Sequence, residues 1–323
     1  MFKLGIYRLD QLPESQSIRA RLSRNRTSFH LLREAASADQ VQLFESVMPQ
    51  ICLSNGVYRT TSRARFEAFD QFVNALLGKY FEASRALDVH DWAASDCVAS
   101  SEWADALWQD FPNARVTASD LTLFLLEAVR SNGEIFVWEA SGEPLQYVRP
   151  PFVVRLNPEE HKLMVVNRIL ASHARNKFGS LLRSWNIPQQ WLNDEDAAPL
   201  DRPPFVLRKI PVIHPEALRL RSKRFSVLRH SAFESLERPC DVIRTMNILN
   251  LKYFSTEKLG EGIEAVRRSL LPGGIWIVGR TFQENPPQHD ASVFIKDGDG
   301  FRLLERYGKG SEVESLVPTV VRQ

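Results

Sequence analysis

The chain of 323 residues has 41 basic and 39 acidic side chains, a formal net charge of +2 at pH 7, and 44% hydrophobic residues. Its length predicts roughly two domains or one enlarged domain with a large core. The nearly balanced charge argues against an overall positive potential that would attract nucleic acid or anionic membranes. The scattered cysteines Cys52, Cys97 and Cys240 lack metal-ligand spacing and favour a reducing compartment, the cytoplasm. No apolar run approaches about 20 residues and residues 1–17 lack the apolar core of a secretion signal, so we expect neither export nor integral membrane association.

Residues 1–80 are predicted to form a helical N-terminal region. Residues 36–48 and 63–80 have helical periodicity, and the second segment carries a wide apolar stripe. A basic run, RARLSRNR, occupies residues 19–26. Two interpretations of this run stay open: a solvated helical face or mobile arm, and a nucleic-acid contact.

The first strand is predicted at residues 86–92, ALDVHDW, followed by a loop of small residues and a helix from about residue 101. Cofactor-binding turns at this place in a doubly wound sheet use glycine, which lets the backbone approach the ligand and the helix pack closely on the sheet. This turn contains no glycine. A cofactor that binds here must therefore be met by small side chains in place of glycine.

The second strand is predicted at residues 114–119 and ends next to Asp120. A carboxylate at the end of the second strand can accept hydrogen bonds from both hydroxyls of a ribose. Asp is also a common N-cap, so the competing interpretation is that Asp120 caps a helix beginning at Leu121 and Thr122. We favour the ribose role because other segments of the chain also carry candidate cofactor-binding residues.

The chain between Asp120 and Asp241 is longer than two further strands and one crossover require, which implies an insertion. We expect the insertion, about residues 133–204, to form a cap. Its basic amphipathic helix is either a lid over the substrate cleft or a membrane-surface helix. In chain order the predicted pieces are a small hairpin of extended segments, the helix and a loop, at residues 134–139, 145–149, 152–155, 161–185 and 193–204.

Residues 238–280 are predicted to form a strand, a helix and a second strand. Residues 240–246 are apolar and β-branched, as in a strand buried on both faces. From Ser255, a predicted N-cap, the apolar residues follow helical spacing. Pro-Gly-Gly at 272–274 ends the helix, and residues 275–278 form the second strand. This arrangement is a right-handed βαβ crossover.

Other extended segments lie on both sides of this crossover. Residues 205–213 and 226–229 precede it, and residues 292–296 and 301–306 follow it. The last two flank Asp-Gly-Asp-Gly at 297–300, which is a strong hairpin signal.

The crossover also carries a resemblance to a known family. D-V-I-x-x-x-N-I-L from Asp241, a following Tyr-Phe-Ser and L-x-P-G-G after the helix resemble the late half of class I S-adenosylmethionine-dependent methyltransferases. The pattern is most similar to that of bacterial-type chemotaxis receptor methyltransferases, whose corresponding strand ends in R-N-V-L-I-Y-F, with Asn247 matching the Asn. The run A-S-D-L that ends at Leu121 resembles their A-T-D-I. Over roughly residues 84–310 the resemblance implies S-adenosylmethionine as cofactor and an α/β, Rossmann-like, mostly parallel seven-stranded sheet, within a domain at residues 81–323.

For the first loop the resemblance leaves two registers open. The family's run W-S-A-G-C-S-T-G-E-E-P-Y aligns without gaps from Trp92 and puts Ser95 at its first glycine position. Alternatively, residues 87–90 match the pattern L-D-x-G, with Asp88 as a cofactor-side carboxylate and His90 in place of glycine.

Cofactor contacts are also implied after the later strands. A residue after the third strand commonly contacts adenine in this family, which implies a contact for His230; a helix-capping or satisfied core histidine is the alternative. The cofactor-binding residues that the resemblance implies are Asp88, His90, Ala94, Ser95, Asp120, Leu121, His230, Asn247 and Ile248.

The resemblance implies methyl transfer to a nucleophilic acceptor, for which the protein holds acceptor and methyl group in line and supplies a base where a proton must leave. Candidate bases are His90, His230 and Tyr253. We expect a small or medium-sized acceptor, no nucleic-acid partner and no metal, because the basic runs lie far apart and no metal-ligand pair is present. Two other functions are a non-catalytic Rossmann-like binding module that has lost its glycine loop and a nicotinamide oxidoreductase, and the missing G-x-G-x-x-G counts against the second.

Overall fold

The computed structural model describes residues 5–8, 27–37, 40–54, 56, 58–59, 61–156, 165–222, 224–282 and 287–319, with only the backbone of residues 165–168. The basic run at residues 19–26 lies outside these ranges. The chain divides into two compact units. The six-stranded unit comprises Met1–Thr60 and Thr122–Pro215, and the seven-stranded unit comprises Thr61–Leu121 and Glu216–Gln323.

Most elements lie where the sequence predicts them, although several begin or end at other residues than predicted. In chain order the strands are β1 Asp88–Trp92, β2 Arg115–Asp120, β3 Phe124–Arg130, β4 Ile135–Trp138, β5 Pro144–Arg149, β6 Phe152–Arg155, β7 Leu200–Arg202, β8 Phe205–Pro211, β9 Phe225–Arg229, β10 Cys240–Met246, β11 Leu270–Phe282, β12 Gln288–Asp297 and β13 Gly300–Tyr307. The α-helices are α1 Leu31–Ser37, α2 Val41–Val47, α3 Glu67–Leu77, α4 Val98–Asp110, α5 Val165–Trp185, α6 Gln189–Asn193, α7 Pro215–Leu220 and α8 Thr256–Ser269.

The seven-stranded sheet has the order β13-β12-β11-β10-β1-β2-β9. Strands β9, β2, β1, β10 and β11 pair in parallel, whereas β12 and β13 are antiparallel to their neighbours. The sheet is therefore mixed. Counted along the chain, the parallel strands have the order third, second, first, fourth and fifth, which is the doubly wound order. The order reverses between β1 and β10.

Helix α8 forms as its sequence predicts. The Ser255 hydroxyl accepts a hydrogen bond from the backbone N–H of Lys258, at 3.3 Å, so the predicted N-cap is confirmed. The apolar stripe of α8, which includes Leu259 and Ile263, is buried in one core with Trp276 of β11. The helix thus covers the strands that lie beyond the reversal point.

The end of this crossover differs from the prediction in one detail. Helix α8 stops at Ser269, and β11 begins immediately at Leu270, so Pro-Gly-Gly lies inside the strand rather than before it. Gly273 has a φ of 76°, and the pairing of β10 with β11 shifts register next to it. The predicted C-terminal hairpin is confirmed, with Gly298 at a φ of 61° in the turn between β12 and β13.

The insertion after Asp120 forms a much larger sheet than the predicted small hairpin. Its strands have the order β6-β5-β4-β3-β8-β7, and all of their pairings are antiparallel. The competing interpretation, a helix beginning at Leu121, is wrong, because Phe124–Arg130 is a strand that pairs with β8 along its whole length. The predicted loop at 193–204 contains the short strand Leu200–Arg202. The secondary structure of these segments depends on strand pairing with residues that are distant in the sequence.

One face of the six-stranded sheet packs on the N-terminal helices. Ile135 and Val137 of β4 are buried in a core that also contains Leu32 of α1 and Phe44 of α2. For this reason residues before 61 belong to this unit, whereas the sequence analysis placed a boundary near residue 80.

The opposite face packs on α5. Side chains alternate along β4, so Phe136 and Trp138 point away from the N-terminal helices. The Phe136 and Phe178 rings lie 5.7 Å apart, and the Trp138 and Trp185 rings lie 5.6 Å apart. The predicted amphipathic helix therefore contacts the core of its own unit with its apolar stripe. In the parts of the chain that the structure describes, no helix is long and apolar enough to cross a membrane.

Candidate functional site

The parallel strands β1, β2, β9 and β10 end at one edge of the seven-stranded sheet, which we call the carboxyl edge. Ligands of doubly wound sheets bind outside this edge, at the point where the strand order reverses, here between β1 and β10. Most of the sequence-predicted site residues lie in or beside the loops that follow these strands: Ala94, Ser95, Asp120, Leu121, His230, Asn247 and Ile248.

The loop after β1, residues 93–97, follows a backbone path that usually requires glycine. Ala93, Ser95 and Cys97 have φ values of 56°, 58° and 65°, all in the left-handed region. A residue with a Cβ atom is less stable there by about 1–2 kcal/mol. The loop is therefore strained at three alternate positions, as functional loops often are. Short side chains keep the added bulk small.

Hydrogen bonds hold this strained loop against the end of β2. The Ala94 N–H donates to the Ser119 carbonyl at 2.8 Å, and the Cys97 N–H donates to the Ala94 carbonyl at 2.9 Å. The Ser95 N–H donates to Oδ2 of Asp120 at 2.9 Å. Asp120 thus fixes the loop that follows the neighbouring strand.

Asp120 is the last residue of β2 and is half-buried. Because no helix follows it within residues 121–130, the N-cap interpretation is wrong. A carboxylate can accept several hydrogen bonds, so its chemistry fits the hydroxyls of a ribose. Leu121 is 59% exposed beside it and presents an apolar surface at the carboxyl edge.

Asn247 lies directly after β10 in the left-handed region, with a φ of 65°. Its Oδ1 accepts the Thr281 N–H at 2.6 Å, and its Nδ2 donates to the Thr281 hydroxyl at 3.2 Å. The amide therefore joins the ends of β10 and β11. Ile248 is half-buried and packs on the α8 core. Because β11 holds the Asn247 side-chain amide in place, any contact between Asn247 and a cofactor would use a rigidly positioned group.

The structure places three predicted residues away from these loops. Asp88 is the first residue of β1, and its N–H donates to Oδ2 of Asp241 at 2.9 Å. His90 lies in the middle of β1. At about 3.3 Å per residue, Asp88 is about 13 Å from the end of the strand. Tyr253 lies in the turn before α8 and is 50% exposed.

His230 contacts the last residue of β1, and His90 lies further back on the same strand. His230 follows β9, its N–H donates to the Asp120 carbonyl at 3.2 Å, and its ring lies 4.7 Å from that of Trp92. Burial lowers the pKa of both His90 and His230, although Asp88 and Glu234, respectively, oppose the effect. Both imidazoles are therefore favoured in the neutral form, which can accept a proton.

A buried ionic network, which the sequence analysis missed, lies on the face of the sheet opposite to His90. Arg244 of β10 is 1% exposed and donates to both carboxylate oxygens of Asp91, at 2.9 and 2.5 Å, and to Asp70 at 2.6 Å. Asp91 also accepts the Ser100 hydroxyl at 2.5 Å, and the guanidinium lies 4.0 Å from the Trp103 ring centroid. The network joins β1 and β10 to α3 and to the first turns of α4. The only indication in the sequence was that charged residues occur within strands that are predicted to be buried.

Asp70 makes this network pH-dependent. Burial raises the pKa of Asp70 from 3.8 to about 7, although Arg244 opposes the shift. The folded protein therefore binds a proton at Asp70 that the unfolded chain releases near pH 4, so this contribution to stability is present below about pH 4 and is lost as the pH rises to about 7. In unfolding titrations from pH 4 to 8, wild type should lose stability relative to Asp70→Asn as the pH rises. A difference that does not change with pH would contradict the raised pKa.

A cavity of about 540 Å³ lies between the C-terminal ends of α3 and α4, lined in part by Gln71, Asn74 and Gln109. Helix α4 ends there just before β2 begins, so the cavity is at the amino ends of the strands, away from the loops described above. Among the described residues, no group of three or more His, Cys, Asp or Glu side chains could hold a metal ion.

No protein-family model and no curated protein matches the chain. Among solved structures it is similar to the sugar N-methyltransferase KedS8 from Streptoalloteichus, with 12% identity and a TM-score of 0.30 over 78% of this chain and 76% of that one. An S-adenosylmethionine-dependent methyltransferase from Clostridium acetobutylicum has 12% identity and a TM-score of 0.29, with 78% of this chain and 76% of that one covered. One from Geobacter sulfurreducens, in complex with S-adenosyl-L-homocysteine, has 10% identity and a TM-score of 0.29, with 75% and 55% covered. Likeness at this level carries no functional argument.

The strand order itself defines the fold of the seven-stranded unit as a doubly wound α/β sheet. A doubly wound sheet with an acidic residue at the end of its second parallel strand is typical of proteins that bind a nucleoside-containing ligand at the carboxyl edge.

Proposed function

We propose that the protein is an S-adenosylmethionine-dependent methyltransferase. The observation that carries the proposal is Asp120: its carboxylate ends the second parallel strand and holds, through the Ser95 N–H, the loop that follows the first. Ala93, Ser95 and Cys97 in the loop after the first strand have the positive φ values that glycine adopts most readily. The Asn247 and L-x-P-G-G pattern supports a methyltransferase over a nicotinamide enzyme.

In this proposal the chain's own residues bind and orient. Asp120 accepts the ribose hydroxyls, Leu121 lies against the nucleoside, and residues 93–97 pass beneath the ligand. When bound, the cofactor supplies a sulfonium methyl group, so the protein needs only to align the acceptor and remove a proton where one must leave. Of the candidate bases, His230 lies nearest Asp120.

The proposed acceptor is a small or medium-sized molecule. The charges of the chain nearly balance, at 41 basic and 39 acidic residues, and no nucleic-acid-binding module accompanies the basic runs. Methyl incorporation from labelled cofactor into a fractionated extract tests this. Label in the low-mass pool supports it, and label only in nucleic acid or protein overturns it.

Calorimetric titration with S-adenosylmethionine and S-adenosylhomocysteine tests the proposed function. The wild type should bind both, and Asp120→Ala should weaken both affinities by about 1–3 kcal/mol because the ribose hydroxyls lose their acceptor. Asp290→Ala is a matched control: its carboxylate accepts the Lys309 N–H in the C-terminal hairpin, and its loss should leave both affinities unchanged.

Two outcomes contradict the proposal. A folded wild type that binds neither compound contradicts a methyltransferase and favours the non-catalytic binding module. A folded Asp120→Ala protein with wild-type affinities removes Asp120 from the site. Circular dichroism and the unfolding midpoint of each variant establish that it is folded.

A further inference from the structure

A continuous chain of hydrogen bonds runs from Asn247, at the carboxyl edge, into the seven-stranded sheet. Nδ2 of Asn247 lies 3.2 Å from the Thr281 hydroxyl oxygen. The same hydroxyl lies 3.0 Å from Nδ1 of His289, and Nε2 of His289 lies 2.9 Å from the Arg65 carbonyl oxygen. The chain thereby joins the loop after β10 to strands β11 and β12 and to the segment before α3.

Strand pairing and burial fix the middle of this chain. Thr281 and His289 are directly opposite each other in the antiparallel pair of β11 and β12, and each residue is 8% exposed. The centroid of the His289 ring lies 4.9 Å from that of Phe66 and 5.7 Å from that of Phe69. The ring therefore has little freedom to turn, and its two nitrogens keep their partners.

The hydrogen positions follow from a partner whose role cannot vary. A backbone carbonyl only accepts, so His289 Nε2 carries the proton that faces Arg65. Burial, together with the charges of Arg65 and Arg244, lowers the pKa of His289, although the bond to the Arg65 carbonyl opposes the shift. The neutral ring therefore has its lone pair on Nδ1. The Thr281 hydroxyl donates to this lone pair, and its oxygen accepts one hydrogen of Asn247 Nδ2.

The backbone of β11 fixes the orientation of the Asn247 amide. The Thr281 N–H only donates, so its partner at 2.6 Å is Oδ1, and the NH2 group is the end that meets the Thr281 hydroxyl. An amide nitrogen carries two hydrogens, and among the described residues only the Thr281 hydroxyl accepts one of them. The other hydrogen is available to a ligand at the carboxyl edge, where the strand order reverses.

The position of Asn247 favours a role in binding over a purely structural one. A tie between β11 and β12 needs only Thr281 and His289, whereas this chain continues to a half-buried residue outside the strands. Glycine would adopt the φ of 65° at position 247 more readily than asparagine. Asparagine adds an amide at this point, and the chain of hydrogen bonds fixes that amide.

We propose that His289 is a positioning residue for cofactor binding. Through the Thr281 hydroxyl it orients the Asn247 amide, whose second Nδ2 hydrogen then bonds to an oxygen or nitrogen lone pair of the cofactor. The cofactor contact rests on the proposed function, whereas the orientation of the amide does not. His289 acts only through Asn247 and contacts neither cofactor nor acceptor. Strand β12, which lies outside the parallel part of the sheet, thus contributes to the site.

Nitrogen-15 NMR of the ligand-free full chain tests the orientation. His289 should be the Nε2–H tautomer near pH 7. In His289→Phe the Thr281 hydroxyl loses its acceptor and turns to another one, so the Asn247 side-chain hydrogens should exchange with water about 5-fold faster than in wild type. An Nδ1–H tautomer in wild type, or unchanged exchange at Asn247 in the variant, overturns the positioning role.

Calorimetric titration with S-adenosylhomocysteine tests the cofactor contact. Thr281→Val should weaken the affinity by about 10-fold and His289→Phe by about 5-fold, as expected for one misplaced hydrogen bond. His289→Asn should recover most of the loss, because the asparagine side-chain oxygen can accept the Thr281 hydroxyl. Thr117→Val is the control: it removes a hydroxyl that lies 2.9 Å from that of Ser226, and the affinity should not change.

A double-mutant cycle separates positioning from a general loss of stability. In an Asn247→Ala background, His289→Phe should cause no further loss of affinity, because the amide through which it acts is gone. Thr281→Val, which keeps the shape of the side chain, goes through the same cycle, so the test does not depend on one variant. Equal losses with and without Asn247 overturn the proposal, as does wild-type affinity in folded His289→Phe and Thr281→Val proteins.

Failure of the proposed function has a different signature. A wild type that binds neither S-adenosylmethionine nor S-adenosylhomocysteine overturns the proposed function and the cofactor contact together. The tautomer of His289 and the exchange at Asn247 then decide whether the chain of hydrogen bonds orients the amide, because neither measurement requires a cofactor.

Discussion

Arg244→Met should lower the free energy of unfolding of the seven-stranded unit by about 3–5 kcal/mol, the usual effect of removing one partner from a buried ion pair. Arg244 is 1% exposed, and its guanidinium is the counter-charge of Asp91 and Asp70, which are each 4% exposed. Methionine fills part of the volume but offers no donor, so the ionised carboxylate of Asp91 stays buried without compensation. Urea unfolding followed by circular dichroism measures the loss.

The matched control is Arg268→Met. Arg268 also donates to a carboxylate, that of Glu264, but its side chain is 67% exposed, so the change should stay within about 0.5 kcal/mol. Arg244→Met combined with Asp91→Asn should be less destabilised than Arg244→Met alone, because the unpaired charge is gone. A loss below about 1 kcal/mol in Arg244→Met would contradict a role for the network in holding α3 and α4 on the sheet.

Phe136→Ala should destabilise the six-stranded unit by about 3–5 kcal/mol, which is typical of removing a buried phenylalanine. The ring is fully buried and contacts Tyr147, Phe178 and Phe205 at centroid distances of 4.7, 5.7 and 6.1 Å. The cavity cannot close easily, because these rings belong to two strands and a helix.

Differential scanning calorimetry measures the effect of Phe136→Ala as a lowered unfolding temperature. Ile169→Ala is the control on α5: its side chain is 63% exposed, and the change should be within about 0.5 kcal/mol. Equal effects of the two substitutions would contradict the placement of the aromatic cluster at the centre of this unit.

The sequence was most informative where pattern and local signal agreed. Residues 240–282 combine a continuous apolar run, helical spacing and the capping Ser255, and the structure has the predicted strand, helix and strand there. The Asp-Gly-Asp-Gly turn likewise predicted the C-terminal hairpin. Each of these signals depends on residues close together in the chain.

The six-stranded sheet was largely missed because its signals are not local. The segment LFLLEAVR reads equally well as helix or strand, and only its pairing with β8, about 80 residues later, decides. The Arg244 network has the same character, because Asp91 and Asp70 are 153 and 174 residues away from it in sequence. Periodicity within a window carries no information about such partners.

The candidate site was predicted at the level of loops rather than of contacts. Asp120 was named from its place at the end of a strand, and Ser95 and His230 from the family resemblance. The Ser95 and His230 backbone N–H groups both donate to Asp120. Two things were not predictable. The left-handed conformation of residues 93–97 has no signal when glycine is absent, and the position of Asp88 at the far end of β1 depends on where the strand begins.

The left-handed loop after β1 bears on how distant relatives of such folds are found. Glycine at positions 93, 95 and 97 would allow the same backbone path and would remove the strain at Ala93, Ser95 and Cys97. A sequence search for glycine at this turn would pass over the chain, whereas a search for positive φ at alternate positions after a strand would find it.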